Sequence, residues 1–390
     1  MESAAVIGVG ITRYGRITDR SFAEIAFEAA WEAMRDAGVD REGVDLLVVG
    51  NVGGWSSEPL PAVTISEYLG LDGNGSMRVE AACASGSAAI KVAADAVTSG
   101  QSEVAMVIGV ERMNESPVTN VVELIGRAGN YFWEFENFGL TFPAYYALYA
   151  NSYMQIYGAK EEDLAEVAVK NHYYGSLNPK AYFRQRVTVD DVMKSRYVAW
   201  PLKLLDCSPI TDGAAALIVT SEGKAREFTD TPVYIRSIGT GTGTSNISRR
   251  DDLLGFDAVR KAAREAYRRA GIDPSRPHRQ IDLALVHDCF TIAEVMAYED
   301  LGFVRRGEGY MLVKEHQTYI GGIVPVNTDG GLKAKGHPIG ATGVGMAVEV
   351  VKQLRRAADP QRQVDVRNGV ALTHNVGGTG HYAYVAIYSI

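Results

Sequence analysis

The sequence predicts an α/β protein built from two duplicated halves, with a large insert in the first. Three observations carry that expectation. A chain of 390 residues is too long for one ordinary core and suits two domains or two fused half-domains. One succession of elements occurs twice, at 26–52 and at 257–290: an amphipathic helix, an Ala-Gly stop, and an apolar strand entered through Val-Asp or Ile-Asp. A second succession, a glycine- and alanine-rich helix followed by an apolar strand, comes some tens of residues after each. The boundary between the halves falls at 228/229, giving segments 1–228 and 229–390.

In chain order, "SAAVIGVGIT" opens the first half as a β-rich run. The helix within "AFEAAWEAMRDAGVDREGVDLLVVGNV" stops at Gly38, the residue type favoured just past a helix C-terminus. "EAACASGSAAIKVAADAVTSG" then gives the small-residue helix and "EVAMVIGV" the strand after it. Residues from about 112 to 205 have no counterpart in the second half. This insert is rich in Tyr, Phe and Trp ("NYFWEFENFGLTFPAYYALYANSYM") and ends in basic clusters. A connection of that length between core strands is a lid or substrate-binding region, or else an oligomer contact. The second half repeats the plan with "TPVYIRSIGTGT", a helix stopping at Gly271, "IDLALVHDCF", "KAKGHPIGATGVGMAVEVVKQL" and "GVALTHNVGG". Strands alternating with helices imply a largely parallel or mixed sheet covered by helices in each half.

Composition narrows the function. Apolar residues make up 46% and charged residues 22%, as in soluble globular proteins. A net charge of -8 argues against nucleic acid as a partner, because phosphate backbones need a basic face. The start, "MESAAVIGVG", carries no basic lead and no long apolar run, so no membrane anchor is expected and the compartment reads as cytoplasmic. The three cysteines, Cys83, Cys207 and Cys289, show neither a metal spacing nor a disulfide framework. "GVGITRYG" imitates a dinucleotide fingerprint, but Arg13 stands at its third glycine position. "GTGTGTS" lacks the spacing of a phosphate loop.

Four places could carry chemistry. Cys83 precedes the helix of "ASGSAAIKVAADAV", where free N–H groups and the helix dipole favour a thiolate; a small buried residue fits the same position. His337 lies in the glycine-rich "GGLKAKGHPIGATGVG" and opens the corresponding helix of the second half. A pseudo-twofold axis would bring the two helix starts together, and cysteine beside histidine makes an activated nucleophile. "HDCF" (287–290) and "HNVGGTG" (374–380) follow apolar strands, and ligands in α/β sheets gather at strand C-termini.

Together, "CAS", "HDCF", "GHPIGATG" and the last glycine-rich turn resemble the thiolases, over nearly the whole chain. The likeness is strongest to the sterol-carrier-protein type and to archaeal-type acetoacetyl-CoA thiolases. The resemblance implies a thiolase fold, its two halves packed in an α-β-α-β-α layering. It implies thiolysis of a 3-oxoacyl-CoA or the reverse Claisen condensation, with no permanently bound cofactor and no metal. By it, Cys83 takes the acyl group, His337 takes the proton of Cys83, and His287 donates to the acetyl-CoA thioester oxygen. The N–H groups of Cys83 and Gly377 form a second oxyanion hole. Most relatives have a second catalytic cysteine in the last motif, where this chain reads Asn375-Val376-Gly377, so Cys289 inherits its acid/base role.

Asp288 is expected to be a structural partner for a loop N–H or an imidazole. Asn375, His374 and His172 are weaker pocket candidates. Lys180, Arg184, Arg186 and Arg196 are candidates for the CoA phosphates, although any one of them suits a solvated face. Cys207 and His381 have no role readable from sequence. Expected partners are acyl-CoA and CoA, a second copy in a homodimer or tetramer, and a small zinc-ribbon/OB-fold protein that binds CoA. Alternatives are bulky aromatic or steroid acyl groups, retro-aldolase chemistry, or a subunit that only passes acyl-CoA within a complex.

Overall fold

The computed structural model describes residues 3–71 and 73–390. The first half contributes β1 (Ala4–Ile11), α1 (Phe22–Ala37), β2 (Leu46–Gly50), α2 (Pro61–Leu69), β3 (Gly75–Val79), α3 (Ser85–Thr98) and β4 (Val104–Arg112). The insert holds α4 (Val118–Gly126), α5 (Phe142–Tyr157), α6 (Glu161–Leu177), α7 (Val189–Lys194) and a hairpin of β5 (Tyr197–Ala199) and β6 (Leu202–Lys203). β7 (Asp212–Ser221) and α8 (Ala225–Phe228) close that half. The second half runs β8 (Val233–Thr242), α9 (Asp257–Ala270), β9 (Leu283–Val286), α10 (Thr291–Asp300), α11 (Gly309–Lys314), α12 (Ile339–Leu354), β10 (Val370–Gly377) and β11 (Tyr382–Ser389).

Among the described residues the main strands form one mixed sheet, in the order β3-β2-β4-β7-β1-β8-β11-β10-β9. The order reads outward from its middle in the same way on both sides. β1 and β8 are equivalent, then β7 and β11, β4 and β10, β2 and β9. The half-sheets join through three residue pairs, Ala4 with Ile235, Ala5 with Tyr234 and Val6 with Val233. α3 and α12 pack against each other, and α12 touches strands of both half-sheets. α1 covers the outer face of the first half-sheet and α9 that of the second. The result is helix, sheet, helix pair, sheet, helix, the layering implied by the resemblance.

The duplication is also visible residue by residue. α1 is capped by Ser21 and Glu24 and stops at Gly38 with φ 66°; α9 stops at Gly271 with φ 72°. The two Gly-x-Gly runs are seats for these helices. A Cβ at Gly8 or Gly10 would overlap the carbonyl of Ala33 or Ala29 on α1. A Cβ at Gly239 or Gly241 would overlap that of Ala262 or Ala258 on α9. Strand and helix backbones meet where both sides carry small residues, which explains glycine-rich runs that bind no phosphate. Alternation along β1 sends Ala5 and Ile7 into the outer core with α1, and Val6 and Val9 into the central core.

The insert lies across the second half. Tyr146 of α5 stacks on Phe290 at 4.5 Å, and Tyr149 meets Phe256 edge-on at 5.4 Å. On α6, Lys170 forms a fully buried ion pair with Glu294, and Asn171 donates to Asp288 at 2.7 Å. These contacts fix the insert against the "HDCF" loop, so it forms part of a pocket wall rather than a free flap.

Candidate active site

Cys83 sits between β3 and α3. Ala82, just before it, holds φ 51°, a left-handed conformation that costs a non-glycine residue about 1 kcal/mol or more. The turn is held by Ser85, whose Oγ accepts from the Ala81 N–H at 2.9 Å and donates to the Ala82 carbonyl at 2.6 Å. The sulfur is buried, and the backbone N–H groups of Cys83 and Gly378 point at it. Burial outweighs both donors and pushes the thiol up to about 12.

His337 ends the glycine-rich loop two residues before α12, and its backbone N–H donates to Thr211 Oγ1 at 2.8 Å. The Thr342 hydroxyl donates to the Pro338 carbonyl at 3.0 Å, which leaves its oxygen to accept from His337 Nδ1–H at 2.7 Å. The proton therefore resides on Nδ1, and Nε2 presents a lone pair. Burial lowers this imidazole to about 3, so it is neutral.

His287, at the end of β9, is set the opposite way. The Asn375 amide accepts from Ser87 Oγ at 2.9 Å, which orients its nitrogen. That nitrogen donates to the Cys83 carbonyl at 3.0 Å and to His287 Nδ1 at 3.1 Å. His287 must then carry its proton on Nε2, a buried atom with no hydrogen-bond partner. The Cys83 sulfur and one ring nitrogen from each of His287 and His337 lie within 4.8 Å of one another. One thiol thus has a hydrogen-bond acceptor and an unsatisfied donor beside it. Among the described residues this is also the set of His and Cys donors placed to hold a metal ion.

Since Cys83 and His337 are both neutral at rest, the thiolate forms only as the sulfur attacks and His337 takes its proton. That resting state persists across the neutral range, so iodoacetamide alkylation of Cys83 is expected to vary less than about twofold there, and to rise roughly tenfold per pH unit in His337→Ala, where only hydroxide can generate the thiolate. The check is peptide mass spectrometry of the alkylated residue; a wild-type profile as steep as the variant's would mean that His337 takes no proton from Cys83.

Cys289 is buried, lies in the same pocket as Cys83 and His337, and is held well above the ordinary thiol range by burial. Asp288 turns away from the pocket and accepts from the Leu332 N–H at 2.7 Å and the Lys333 N–H at 3.1 Å. It thereby ties the "HDCF" loop to the loop of His337, the structural partnership with a loop N–H expected of it. The cavity, about 460 Å³, has an apolar wall that includes Val118, Val122, Ile125, Phe142, Phe183 and Ile339.

The remaining candidates scatter. Gly377 packs against the Ala81 carbonyl, and the N–H aimed at the Cys83 sulfur belongs to the next residue, Gly378. His374 lies behind His287, its Nδ1 accepting from the His287 N–H at 3.4 Å. His172 lies behind Phe183 and is occupied by the Gln185 carbonyl at 2.9 Å and Lys333 Nζ at 3.4 Å. Of the four cations, Arg196 lines the pocket. Lys180 instead reaches back to the Ile11 carbonyl at 2.6 Å and to Glu32 at 3.3 Å, strapping the insert to the first half. Arg186 lies over the Tyr173 ring at 4.7 Å, and Arg184 is exposed. Cys207 lines the pocket, and His381 covers the Gly378 turn and meets Thr379 Oγ1 at 3.2 Å.

Sequence reasoning missed Thr342, Ser87, Glu111 and Tyr146. Glu111 is fully buried, accepts from Trp55 Nε1 at 2.8 Å and from the Val52 N–H, and is pushed up to about 7 by burial. It anchors Trp55, which packs beside Cys83. Thr342 could have been found from its place one turn into the helix after His337; Glu111 and Tyr146 carry no local signal.

Comparison with known proteins gives a consistent answer. Residues 4–223 match the family "Thiolase, N-terminal domain", and residues 239–390 match "Thiolase C-terminal domain-like". The chain is 45% identical over 391 residues to an acetyl-CoA acetyltransferase of Methanothermobacter thermautotrophicus, covering 100% of both. It is 40% identical over 396 residues to the acetyl-CoA acetyltransferase of Methanocaldococcus jannaschii, covering 100% of this chain and 99% of that one. Among solved structures, the Ltp2-ChsH2(DUF35) aldolase superposes with TM-score 0.84 at 27% identity, covering 98% of this chain and 97% of that one.

Proposed function

The chain belongs to the thiolase family of acyltransferases, and from that premise we propose that it exchanges acyl groups between CoA thioesters through an acyl thioester on Cys83. In the cleavage direction, His337 Nε2 takes the Cys83 proton as the sulfur attacks C3 of a 3-oxoacyl-CoA. The oxyanion on C3 is met by backbone N–H groups of Cys83 and the 377–378 turn. The C2–C3 bond breaks, its electron pair goes to C2, and the resulting enolate oxygen is held by His287 Nε2–H. Cys289 gives its proton to C2, acetyl-CoA leaves, and free CoA attacks the acyl-Cys83. The reverse sequence is a Claisen condensation of acetyl-CoA. The observation that supports this reading is the opposed tautomers of His337 and His287 around one thiol.

The test is thiolysis of acetoacetyl-CoA by the purified chain, followed by loss of its enolate absorbance upon adding CoA. No turnover with any of a panel of 3-oxoacyl-CoAs would refute the assignment. A panel is needed because the apolar wall supports a second reading, acyl groups bulkier than acetyl. Of Lys180, Arg184, Arg186 and Arg196, Arg196 lines the pocket, which favours a partner supplying part of the CoA phosphate site. A small zinc-ribbon/OB-fold subunit suits that role, in line with the DUF35 component named with the aldolase relative. β3 leaves one edge of the sheet open, with Met77 exposed, and a second copy of this chain pairing there would make the dimer. No helix among the described residues is long and apolar enough to cross a membrane.

A further inference from the structure

Four buried tyrosines, Tyr145, Tyr146, Tyr149 and Tyr153, line one side of α5. Three have partners: Tyr145 donates to Glu134 at 2.5 Å, Tyr149 to the Thr379 carbonyl at 3.1 Å, and Tyr153 to Glu299. Tyr146 is the exception. Its ring is fully buried and stacked on Phe290, while its hydroxyl makes no hydrogen bond of ordinary geometry and has only a weak approach to the Cys289 sulfur. A buried phenol nearly always finds an acceptor, so an orphaned one calls for an explanation.

The group facing this hydroxyl is the sulfur of Cys289, the residue before Phe290, and the Cys83 sulfur is also near enough to act on it electrostatically. A neutral thiol is a poor acceptor and a thiolate a strong one. A hydroxyl aimed at a thiol is therefore unsatisfied until that thiol gives up its proton. We propose that Tyr146 is a catalytic residue, whose O–H stabilises the Cys289 thiolate in the steps that move a proton at C2 of acetyl-CoA. This rests on the thiolase reading and deepens it.

In cleavage, the Cys289 S–H proton goes to C2 of the enolate, the S–H electron pair stays on sulfur, and Tyr146 donates to that sulfur while keeping its own proton. The thiolate then takes the proton of incoming CoA. In condensation, CoA leaving acyl-Cys83 takes the Cys289 proton, and the thiolate held by Tyr146 removes one from C2 of the second acetyl-CoA. Other groups around Cys289 do not supply this donor. Cys83 at the start of α3 and Asp288 on the same loop disfavour a second negative charge. His337, ahead of α12, presents its lone pair, and the nearby Cys207 donates its S–H to the Lys203 carbonyl at 3.3 Å. The Phe290 N–H also points at this sulfur.

Tyr146→Phe keeps the stacked ring and removes only the hydroxyl. The experiment follows three quantities in full-length protein: exchange of the C2 protons of acetyl-CoA in deuterated water, acylation of Cys83 by intact mass, and the pH dependence of the exchange. Exchange is expected to fall on the order of tenfold to a hundredfold, with its pH midpoint displaced upward by about one unit, while the final extent of Cys83 acylation changes less than about twofold. Unchanged exchange and pH midpoint would overturn the proposal. So would a parallel fall in exchange, acylation and Tm, the signature of a structural residue. Should the variant fail to fold, 3-fluorotyrosine placed at position 146 keeps the packing and makes the phenol more acidic; the midpoint must then move downward, and a fixed midpoint overturns the role. A wild-type protein that neither acylates Cys83 nor exchanges protons would sink the thiolase reading itself. A competent wild type matched by its Phe variant sinks only the part given to Tyr146.

Discussion

Cys83→Ala is expected to lower acetoacetyl-CoA thiolysis to less than about one ten-thousandth of the wild-type rate, as loss of a covalent nucleophile does elsewhere. The size follows from the surroundings. Within the pocket the other thiols are Cys289, whose charge is disfavoured by burial, and Cys207, whose sulfur donates to a backbone carbonyl. Neither has an imidazole lone pair and two backbone N–H groups directed at one sulfur. Alanine replaces a small buried side chain among other small ones, so Tm should stay within a few degrees and the loss can be read as chemistry. Intact mass after incubation with acetyl-CoA supplies the second measurement: wild type gains one acetyl group and the variant gains none. Retention of more than about one per cent of the activity, or an adduct on the variant, would remove Cys83 from the covalent role.

The parts of this site legible in sequence are those that depend on local structure and on the duplication. Cys83 and His337 could be paired because each opens the equivalent small-residue helix of its half, and α3 and α12 do pack side by side. Gly38 and Gly271 marked helix ends because a left-handed residue after a helix is nearly always glycine. What was not legible depends on where a long side chain points after folding. Lys180 belongs to a basic run, yet its stem crosses to α1 because the insert folds back over β1. Asn375 looked like the site of a missing cysteine; its function comes from three partners, Ser87, Cys83 and His287, brought together from both halves. Tyr146 lies in a helix so rich in aromatics that periodicity identifies a buried face and nothing more. Only its orphaned hydroxyl separates it from its neighbours.

Cys289→Ala is expected to divide the reaction in two. Acylation of Cys83 rests on His337 and the backbone N–H groups; Cys289 supplies only a proton to the departing CoA, and a CoA thiolate can leave without one, so acetyl-Cys83 should still form. Proton movement at C2 loses its acid and base, and positioned groups of this kind contribute about a hundredfold to ten-thousandfold. Exchange of acetyl-CoA protons and condensation should fall by that factor, while the acetyl-enzyme accumulates in the mass spectrum. The position used for this purpose in most relatives holds Asn375, whose amide is committed to His287, and the Cys207 thiol in the same pocket is committed to the Lys203 carbonyl. Normal turnover by the variant would return Cys289 to the status of a packing residue. The same variant also tests its neighbour. If Tyr146 acts through the Cys289 thiolate, adding Tyr146→Phe to Cys289→Ala should cost almost nothing more, because the anion that the hydroxyl serves is gone. If the two losses multiply, the hydroxyl acts elsewhere, and the enolate oxygen held by His287 becomes the group to examine.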